Sequence, residues 1–218
     1  METIAPYVQR LALWAVPILA AVVLHEVAHG YVAYRLGDPT AAHSGRLTLN
    51  PFAHVDLFGT VILPLLLLFG GAPFLFGYAK PVPVNFLNLR NPRRGMVLVA
   101  LAGPAMNLLL AGLSAIIVRL VLSMPVPDSQ FLTSNMVVIA QMAQYSVLMN
   151  VGLAVFNLLP LPPLDGGRVA TGLLPRTSAV ALARLEPYGM LIIMVLLMSG
   201  VLDQLLRPMT MFLLHILL

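Results

Sequence analysis

The pentapeptide His25-Glu26-Val27-Ala28-His29 carries the residue types from which a hydrolytic zinc site can be built. In a helix, two histidines four residues apart lie one turn apart on one face, so each imidazole can give one nitrogen to a single tetrahedral zinc ion. Glu26 leans toward the same cavity and could take a proton from a zinc-bound water. The spacing therefore predicts His25 and His29 as metal ligands and Glu26 as a catalytic base.

The surroundings of this pentapeptide decide between two interpretations. The first interpretation is that the motif has no metal and consists of two helix histidines beside a solvated glutamate. Residues 14–24, however, are an unbroken apolar run that continues into the motif. Ionisable groups at membrane depth are costly and usually functional, so the apolar context favours the metal site.

The composition is that of an integral membrane protein. Of 218 residues, 60% are hydrophobic and 9% are charged, and the mean hydropathy is +0.94. Soluble domains carry about 25% charged residues. The net charge of +4 does not indicate a nucleic-acid partner, because the basic residues lie at the ends of apolar runs, as in membrane proteins. The chain has no cysteine, which excludes disulfides and thiolate ligands.

Apolar runs at residues 8–35, 96–124 and 131–159 or 135–159 predict three membrane-spanning helices. A further run at residues 188–206 predicts another, followed by an apolar tail. The first span is expected to serve as its own insertion signal, since nothing before it resembles a cleaved signal peptide. The predicted fold class is an all-α polytopic membrane protein with a three-helix catalytic core. It forms a single domain over residues 1–218, with the core at about 8–170 and a C-terminal helical segment at about 187–218.

Residues 45–51 alternate polar and apolar side chains and end in Asn50-Pro51, which predicts a short β-hairpin. The free edge of this strand, or the extended segment 82–84, could pair with a peptide near the active site. A purely structural hairpin explains the pattern equally well. His54 lies just after this segment and is predicted as a possible neighbour of the metal ligands.

A hydrolytic site also needs a third protein ligand, and the chain has eight acidic residues that could supply it. Asp165 stands out because a cluster of prolines at residues 160, 162 and 163 breaks the helix before it. An irregular segment can turn a carboxylate into the site, and a hydrolytic zinc ion needs three protein ligands and an open position. The alternative for Asp165-Gly166-Gly167 is a plain turn.

A common depth for the ligands constrains the topology. The histidines lie near the end of the first span and Asp165 follows the end of the third, so an odd number of crossings must separate those two spans. Residues 57–76, interrupted by glycine and proline, are therefore predicted to be re-entrant. This topology places nine of the twelve basic residues on one side, which is then cytoplasmic: Arg35, Arg46, Lys80, Arg90, Arg93, Arg94, Arg168, Arg176 and Arg184.

The chain resembles the site-2 protease family of intramembrane zinc metalloproteases over about residues 11–170. The resemblance rests on three motifs in the family's order: His25 to His29, Gly103-Pro104 with Asn107, and Asn157 followed by Pro160, Pro162 and Asp165-Gly166-Gly167. It implies one zinc ion per chain on His25, His29 and Asp165, with Glu26 as general base. It also implies cleavage within a membrane-embedded segment of a substrate protein. The chain is expected to be a compact member without a PDZ domain.

The same resemblance implies that Asn107 and Asn157 line the site. Either amide could donate to the developing oxyanion or hold the substrate backbone. An interhelical hydrogen bond is an equally good reason for an asparagine in a membrane helix.

Two other functions are compatible with the same ligands. A metal-ion transporter or metal-sensing membrane protein would use them but should carry polar groups along a path through the membrane. An inactive scaffold would keep the zinc ligands without needing Glu26. The peptidase interpretation predicts a membrane-protein substrate and the lipid bilayer as partners, in a prokaryotic plasma membrane.

Overall fold

The structure, a computed structural model, describes residues 5–71 and 77–218, with side chains from residue 13 onward. Apart from short 3-10 and π turns, its elements are helices. In chain order they are α1 (Ala5–Arg35), α2 (Thr40–His43), α3 (Leu63–Phe69), α4 (Pro92–Ser123), α5 (Gln130–Asn157), α6 (Asp165–Leu173), α7 (Arg176–Ala183), α8 (Glu186–Met198) and α9 (Val201–Leu217).

Three helices, α1, α4 and α5, are long and apolar enough to cross a membrane, with 31, 32 and 28 residues. At 1.5 Å per residue each exceeds the hydrocarbon thickness of about 30 Å. The three-helix core predicted from the sequence is confirmed, and the chain is an integral membrane protein.

Small and β-branched side chains hold the core helices together. Ala111 and Ala115 of α4 pack against Val147, Val151 and Val155 of α5, and all five are buried. Small residues at such a contact let two helix backbones approach closely, and the resulting van der Waals packing is one of the forces that hold helices together in lipid. Leucines on one face of α9 cover the same cluster: Leu206, Leu213, Leu214 and Leu217.

The end of α1, the start of α4 and the end of α5 lie at one end of the bundle. The backbone N–H of Arg90, just before α4, donates to the carbonyl of Leu36, just after α1, over 3.1 Å. Arg93 of α4 donates to the carbonyls of Gly172 and Leu174, which follow α5 through α6. The chain between α1 and α4 therefore leaves this end of the bundle and returns to it.

Within that connection, residues 57–69 form an apolar helical stretch. Its 13 residues reach about 20 Å, which is too short to cross a bilayer. The chain then folds back, since Tyr78 N–H donates to the Gly59 carbonyl over 3.0 Å and Lys80 N–H to the His54 carbonyl over 2.9 Å. This path supports the re-entrant prediction for residues 57–76, of which residues 72–76 lie outside the described part.

The predicted β-hairpin is wrong, because the described residues contain no β-strand. Residues 46–50 are irregular and lead into a 3-10 turn at Pro51–His54. The returning segment carries Pro81 and Pro83, which lack N–H donors, so a regular ladder of backbone hydrogen bonds cannot form there. The Arg46 guanidinium instead donates to the Lys80 carbonyl over 2.7 Å, so a side chain occupies that backbone acceptor.

The span predicted at residues 188–206 is also broken. Helix α8 ends at Met198 and α9 begins at Val201, with Gly200 between them at φ +72°. Glycine adopts this left-handed conformation without the steric cost that other residues incur. The two helices have 13 and 17 residues, so neither is long enough to be a clean span.

The return of the chain to one end of the bundle predicts a labelling pattern. Single cysteines at the exposed positions Ser44 and Arg90 should react with a membrane-impermeant thiol reagent from the same side of sealed vesicles. Asp128→Cys, in the exposed turn between α4 and α5, is the matched control and should react only from the other side. The native chain contributes no thiol. Labelling of Ser44→Cys and Arg90→Cys from opposite sides would show that residues 57–76 cross the membrane.

Candidate metal centre

Three buried side chains converge at the end of the bundle where α1 stops. The Nε2 atoms of His25 and His29 are 3.0 Å apart, and they lie 3.1 and 3.3 Å from Oδ2 of Asp165. Each of the three residues is at most 9% exposed. They form the group of ligand atoms in the described part of the chain that could hold one metal ion.

The other nitrogen of each imidazole fixes the ring orientation. Nδ1 of His29 lies 2.7 Å from the backbone carbonyl of Val99, and Nδ1 of His25 lies 2.5 Å from Oδ1 of Asn107. Because both oxygens can only accept, each Nδ1 must carry the hydrogen. The two Nε2 atoms therefore present lone pairs toward each other, which is the arrangement that a metal ion requires.

These lone pairs fit a zinc ion. Without a cation, two unprotonated nitrogens and a carboxylate oxygen would repel one another at such distances, and Asp165 Oδ2 has no hydrogen-bond partner although it is buried. Ligand atoms on tetrahedral zinc with bonds of about 2.0–2.1 Å are separated by about 3.3 Å, close to the three observed distances. The donor set of two imidazoles and one carboxylate is also one that catalytic zinc sites use.

Gly103 of α4 keeps the space between the imidazoles open. A Cβ atom at this position would lie 2.4 Å from Nε2 of His29 and 2.6 Å from Nε2 of His25. Any side chain on Gly103 would therefore occupy the place where the ligand lone pairs meet. The glycine of the Gly103-Pro104 motif is thus explained by close approach rather than by backbone conformation.

Asp165 reaches the histidines because the chain after α5 folds back tightly. It is the first residue of α6, after an irregular segment containing the prolines predicted to break the helix. A Cβ on Gly166 would lie 2.2 Å from the Leu158 carbonyl oxygen, so only glycine permits this return. Oδ2 of Asp165 thereby faces both Nε2 atoms and has no hydrogen-bond partner of its own, as expected of a carboxylate oxygen that binds a metal ion.

Glu26 lies between the two histidines on α1, and its Oε2 accepts a hydrogen bond of 2.8 Å from the backbone N–H of Val82. Three residues later, Asn85 N–H donates to Oδ2 of Asp38 over 2.7 Å. The proline-containing segment 82–85 is thus held at both ends. Asp38 is completely buried, and it also accepts from Thr40 and Asn88. Burial raises the pKa of Asp38, but these hydrogen bonds to its charged form lower it more.

Asn107 lies behind His25, fully buried. Its amide nitrogen donates to the Ala21 carbonyl over 3.2 Å and to Oδ1 of Asn150 over 2.8 Å. Asn107 thus joins α1, α4 and α5 by hydrogen bonds, which is the interhelical arrangement that the sequence left open. The contacts use both of its amide protons.

Asn150 and two serines extend this network and were missed in the sequence. Asn150 donates to Ser146, whose hydroxyl lies 2.8 Å from that of Ser114. A usable signal was present, because Asn107 and Ser114 are seven residues apart and Ser146 and Asn150 four apart. Both spacings place polar groups on one face of an apolar helix, where they are expected to pair.

Two other predicted site residues are not part of the metal-ligand group. Asn157 donates to the Leu153 carbonyl of its own helix over 3.0 Å and remains half-buried. His54 is buried in the 3-10 turn after α2, with Nε2 lying 2.9 Å from the Thr48 carbonyl. The lining role of Asn157 and the neighbouring role of His54 therefore stay predictions.

Comparison with known proteins agrees with this site. Residues 13–200 match the model of peptidase family M50. The chain is 38% identical to "Putative zinc metalloprotease YwhC" of Bacillus subtilis, over 89% of this chain and 84% of that protein. It is 32% and 33% identical to proteins named "Putative zinc metalloprotease Rip2" of Mycolicibacterium smegmatis and Mycobacterium tuberculosis, over 93% of this chain and 74% and 73% of those proteins.

No solved structure matches the chain. The family match covers the three long helices and all three residues of the candidate metal centre. The resemblance to site-2 proteases read from the motifs is confirmed, and with it the expectation of a zinc cofactor. The chain belongs to peptidase family M50 and is a zinc metalloprotease.

Proposed function

We propose that this metalloprotease hydrolyses peptide bonds in or near transmembrane segments of membrane-protein substrates. One observation carries the proposal: the three potential ligand atoms converge inside a bundle of membrane-spanning helices. His25 and His29 lie two to three turns before the end of α1. By the rise of about 1.5 Å per residue, His29 lies about 10 Å from that end. A peptide bond must reach this depth to be cut.

In the proposed site, His25, His29 and Asp165 hold the zinc ion and Glu26 is the general base. Zinc, when bound, would polarise the scissile carbonyl and make water a better nucleophile near neutral pH. The Glu26 carboxylate would accept the proton of the attacking water and pass it to the leaving amine. The hydrogen bond from Val82 N–H to Oε2 orients this carboxylate.

The substrate must unwind before it is cut, because a helical carbonyl is bonded within its own helix and shielded by side chains. Backbone around residues 47–49 lies beside α1, where the Leu47 side chain and Val82 approach Gly30, one residue past His29. We propose that residues 47–49 or 82–84 hold the unwound segment. Val82 itself is less suited, because its N–H already donates to Glu26.

The end of the bundle that carries the site is proposed to face the cytoplasm. Nine of the twelve basic residues belong to the segments at this end, and positively charged loops are retained on the cytoplasmic side. Bacterial relatives are consistent with a prokaryotic plasma membrane.

Metal transport, the competing function, predicts polar groups along a path through the membrane. Buried polar side chains do continue from Asn107 to Ser114, which is about 10 Å along α4. They are, however, hydrogen-bonded directly to one another through Asn150 and Ser146. Such side chains hold helices together by hydrogen bonds and do not line a channel. This arrangement supports the peptidase interpretation over metal transport.

Glu26→Gln should retain zinc and fold but lose about a thousand-fold or more in turnover, because an amide cannot take the water's proton. Its amide oxygen can still accept from Val82. Membrane proteins that the variant traps uncleaved serve as the substrates. The zinc content of wild type and variant and their cleavage of these substrates are measured in liposomes, and mass spectrometry locates the cut. Full activity would remove Glu26 as the base, whereas cuts confined to soluble flanking regions would contradict intramembrane cleavage.

Gly103→Ala should lose zinc, because the new Cβ would occupy the space between the two Nε2 atoms. We expect zinc affinity, measured by chelator competition, to fall by about a hundred-fold or more, beyond the usual range for a residue that only supports the ligands. Gly112→Ala on the same helix is the matched control, since a Cβ there meets nothing within 4 Å. Normal zinc affinity in Gly103→Ala would show that the metal binds elsewhere.

Asn107→Ala distinguishes the two roles considered for this residue. As an anchor of His25 it should lower zinc affinity by about 10–100-fold. As an oxyanion donor it should lower turnover by about 100-fold or more with zinc affinity unchanged. The contacts with His25 and Asn150 lead us to expect the first result. Asn157→Ala, measured in parallel, should leave zinc affinity unchanged.

A further inference from the structure

Six arginines gather on the outer surface at the end of the bundle that carries the metal centre. We refer to this surface as the arginine face; its members are Arg90, Arg93, Arg94, Arg168, Arg176 and Arg184. All are exposed except Arg168, which is half-buried. They come from three separate stretches of sequence, residues 90–94, residue 168 and residues 176–184, and these stretches meet at this end of the bundle.

Direct contacts connect these stretches. Arg93 donates through Nε to the Gly172 carbonyl over 2.7 Å and through Nη2 to the Leu174 carbonyl, which ties α4 to the end of α6. The Arg168 guanidinium lies 5.5 Å from the ring centre of Phe86. Phe86 lines one surface hollow together with Arg93 and Arg176. A neighbouring hollow lies between Arg176 and Arg184, with an apolar floor that includes Val180.

The charge of this face is not neutralised within the protein. In the described chain, none of the six arginines has a carboxylate oxygen within 4.0 Å, since the ion pairs found there join Asp165 to the histidines. The nearest acidic neighbour in sequence is Glu186, next but one to Arg184. Several positive charges thus line the same surface hollows without a carboxylate partner, so the face favours an anionic partner.

The apolar residues around the arginines indicate that the arginine face lies against lipid. Leu173, Val180 and Leu185 are exposed on and beside α7, between and beyond its two terminal arginines. Helix α7 is bent by 65° from the apolar α8, which fits a helix that lies along the membrane surface before the chain enters the bilayer. The face also lies at the end of the bundle where α1 ends and α4 begins, which is where the headgroups of a surrounding bilayer are expected.

We propose that the arginine face binds the phosphate groups of anionic phospholipids. Guanidinium groups bind phosphate through paired hydrogen bonds, and clustered arginines beside membrane-spanning helices are attracted to anionic lipid. An acidic protein segment would satisfy the charge but would not account for the exposed leucine and valine side chains. Zwitterionic lipid offers phosphate but cancels its charge with an ammonium group.

The lipid would act on the helix that carries Asp165. Helix α6 begins at Asp165, bears Arg168 one turn later, and ends at the carbonyls that Arg93 holds. An anion shared by Arg93, Arg168 and Arg176 would offset their positive charge and hold α6 against α4. Thermal stability of the zinc-loaded protein should therefore rise with the anionic lipid content of the membrane.

The test uses the full chain with zinc in nanodiscs of phosphatidylcholine, with or without phosphatidylglycerol. We expect phosphatidylglycerol to be enriched around the wild-type protein and to raise its unfolding midpoint. The double variant Arg176→Gln/Arg184→Gln should lose most of this rise and about five-fold of the lipid preference for each arginine removed. Arg119→Gln/Arg207→Gln is the matched control, which removes the same charge from α4 and α9 and should respond to lipid as the wild type does.

Several results would overturn the proposal. Equal association of both lipids with the wild type, or an equal loss in the control, would show that no specific face exists. Stabilisation by free inorganic phosphate in phosphatidylcholine nanodiscs would point to a soluble anion. Binding of a glutamate-rich peptide that depends on Arg176 and Arg184, without a preference for phosphatidylglycerol, would point to an acidic protein partner. If the double variant does not fold, Arg176→Gln and Arg184→Gln alone should each lower the phosphatidylglycerol preference about five-fold, and no loss in either would overturn the proposal.

Discussion

The structure depends on holding three electron-pair donors within about 3 Å of one another inside an apolar bundle. Such an arrangement is repulsive in the absence of a cation, so the protein must fix each donor from behind. A backbone carbonyl holds His29 and the Asn107 amide holds His25, while the folded-back loop after α5 holds Asp165. Gly103 supplies the remaining requirement, which is empty space. Loss of a supporting contact of this kind typically lowers metal affinity by about 10–100-fold.

Two irregular segments bring groups to the site that the regular helices cannot supply. A straight helix presents side chains on its own surface, whereas the site needs groups that arrive from the bundle's end. The segment before α6 delivers Asp165, and the segment before α4 delivers the Val82 N–H to Glu26. Irregular backbone at membrane depth is tolerated where protein covers it. Here prolines at residues 81, 83, 160, 162 and 163 stiffen both segments, and buried Asp38 holds the first against α1.

The C-terminal helices and the arginine face both lie near the loop that carries Asp165. Helix α8 starts against the proline loop, where Gly189 lies against the Pro162 carbonyl, and α9 covers the contact between α4 and α5. The arginines surround this region from outside. The loop before Asp165 therefore has apolar packing on one side and the arginine face on the other. The lipid binding that we propose would couple the geometry of α6 to the membrane through this face.

The sequence by itself determined the class of protein and the three long spans. It also predicted the three residues, His25, His29 and Asp165, whose potential ligand atoms the structure brings together. These follow from local quantities, namely apolar run length, the four-residue spacing of His25 and His29, and the proline-rich approach to Asp165. It could not decide where side chains from different helices meet. Alternation at residues 45–51 suggested a strand, but pairing also needs a partner with free donors, and Pro81 and Pro83 remove them. The apolar run at residues 188–206 looked continuous, yet Gly200 adopts a left-handed conformation that breaks it. Asn150 and the roles of Gly103 and Asn107 depend on contacts between α1, α4 and α5, because only the packed bundle defines what each of them touches.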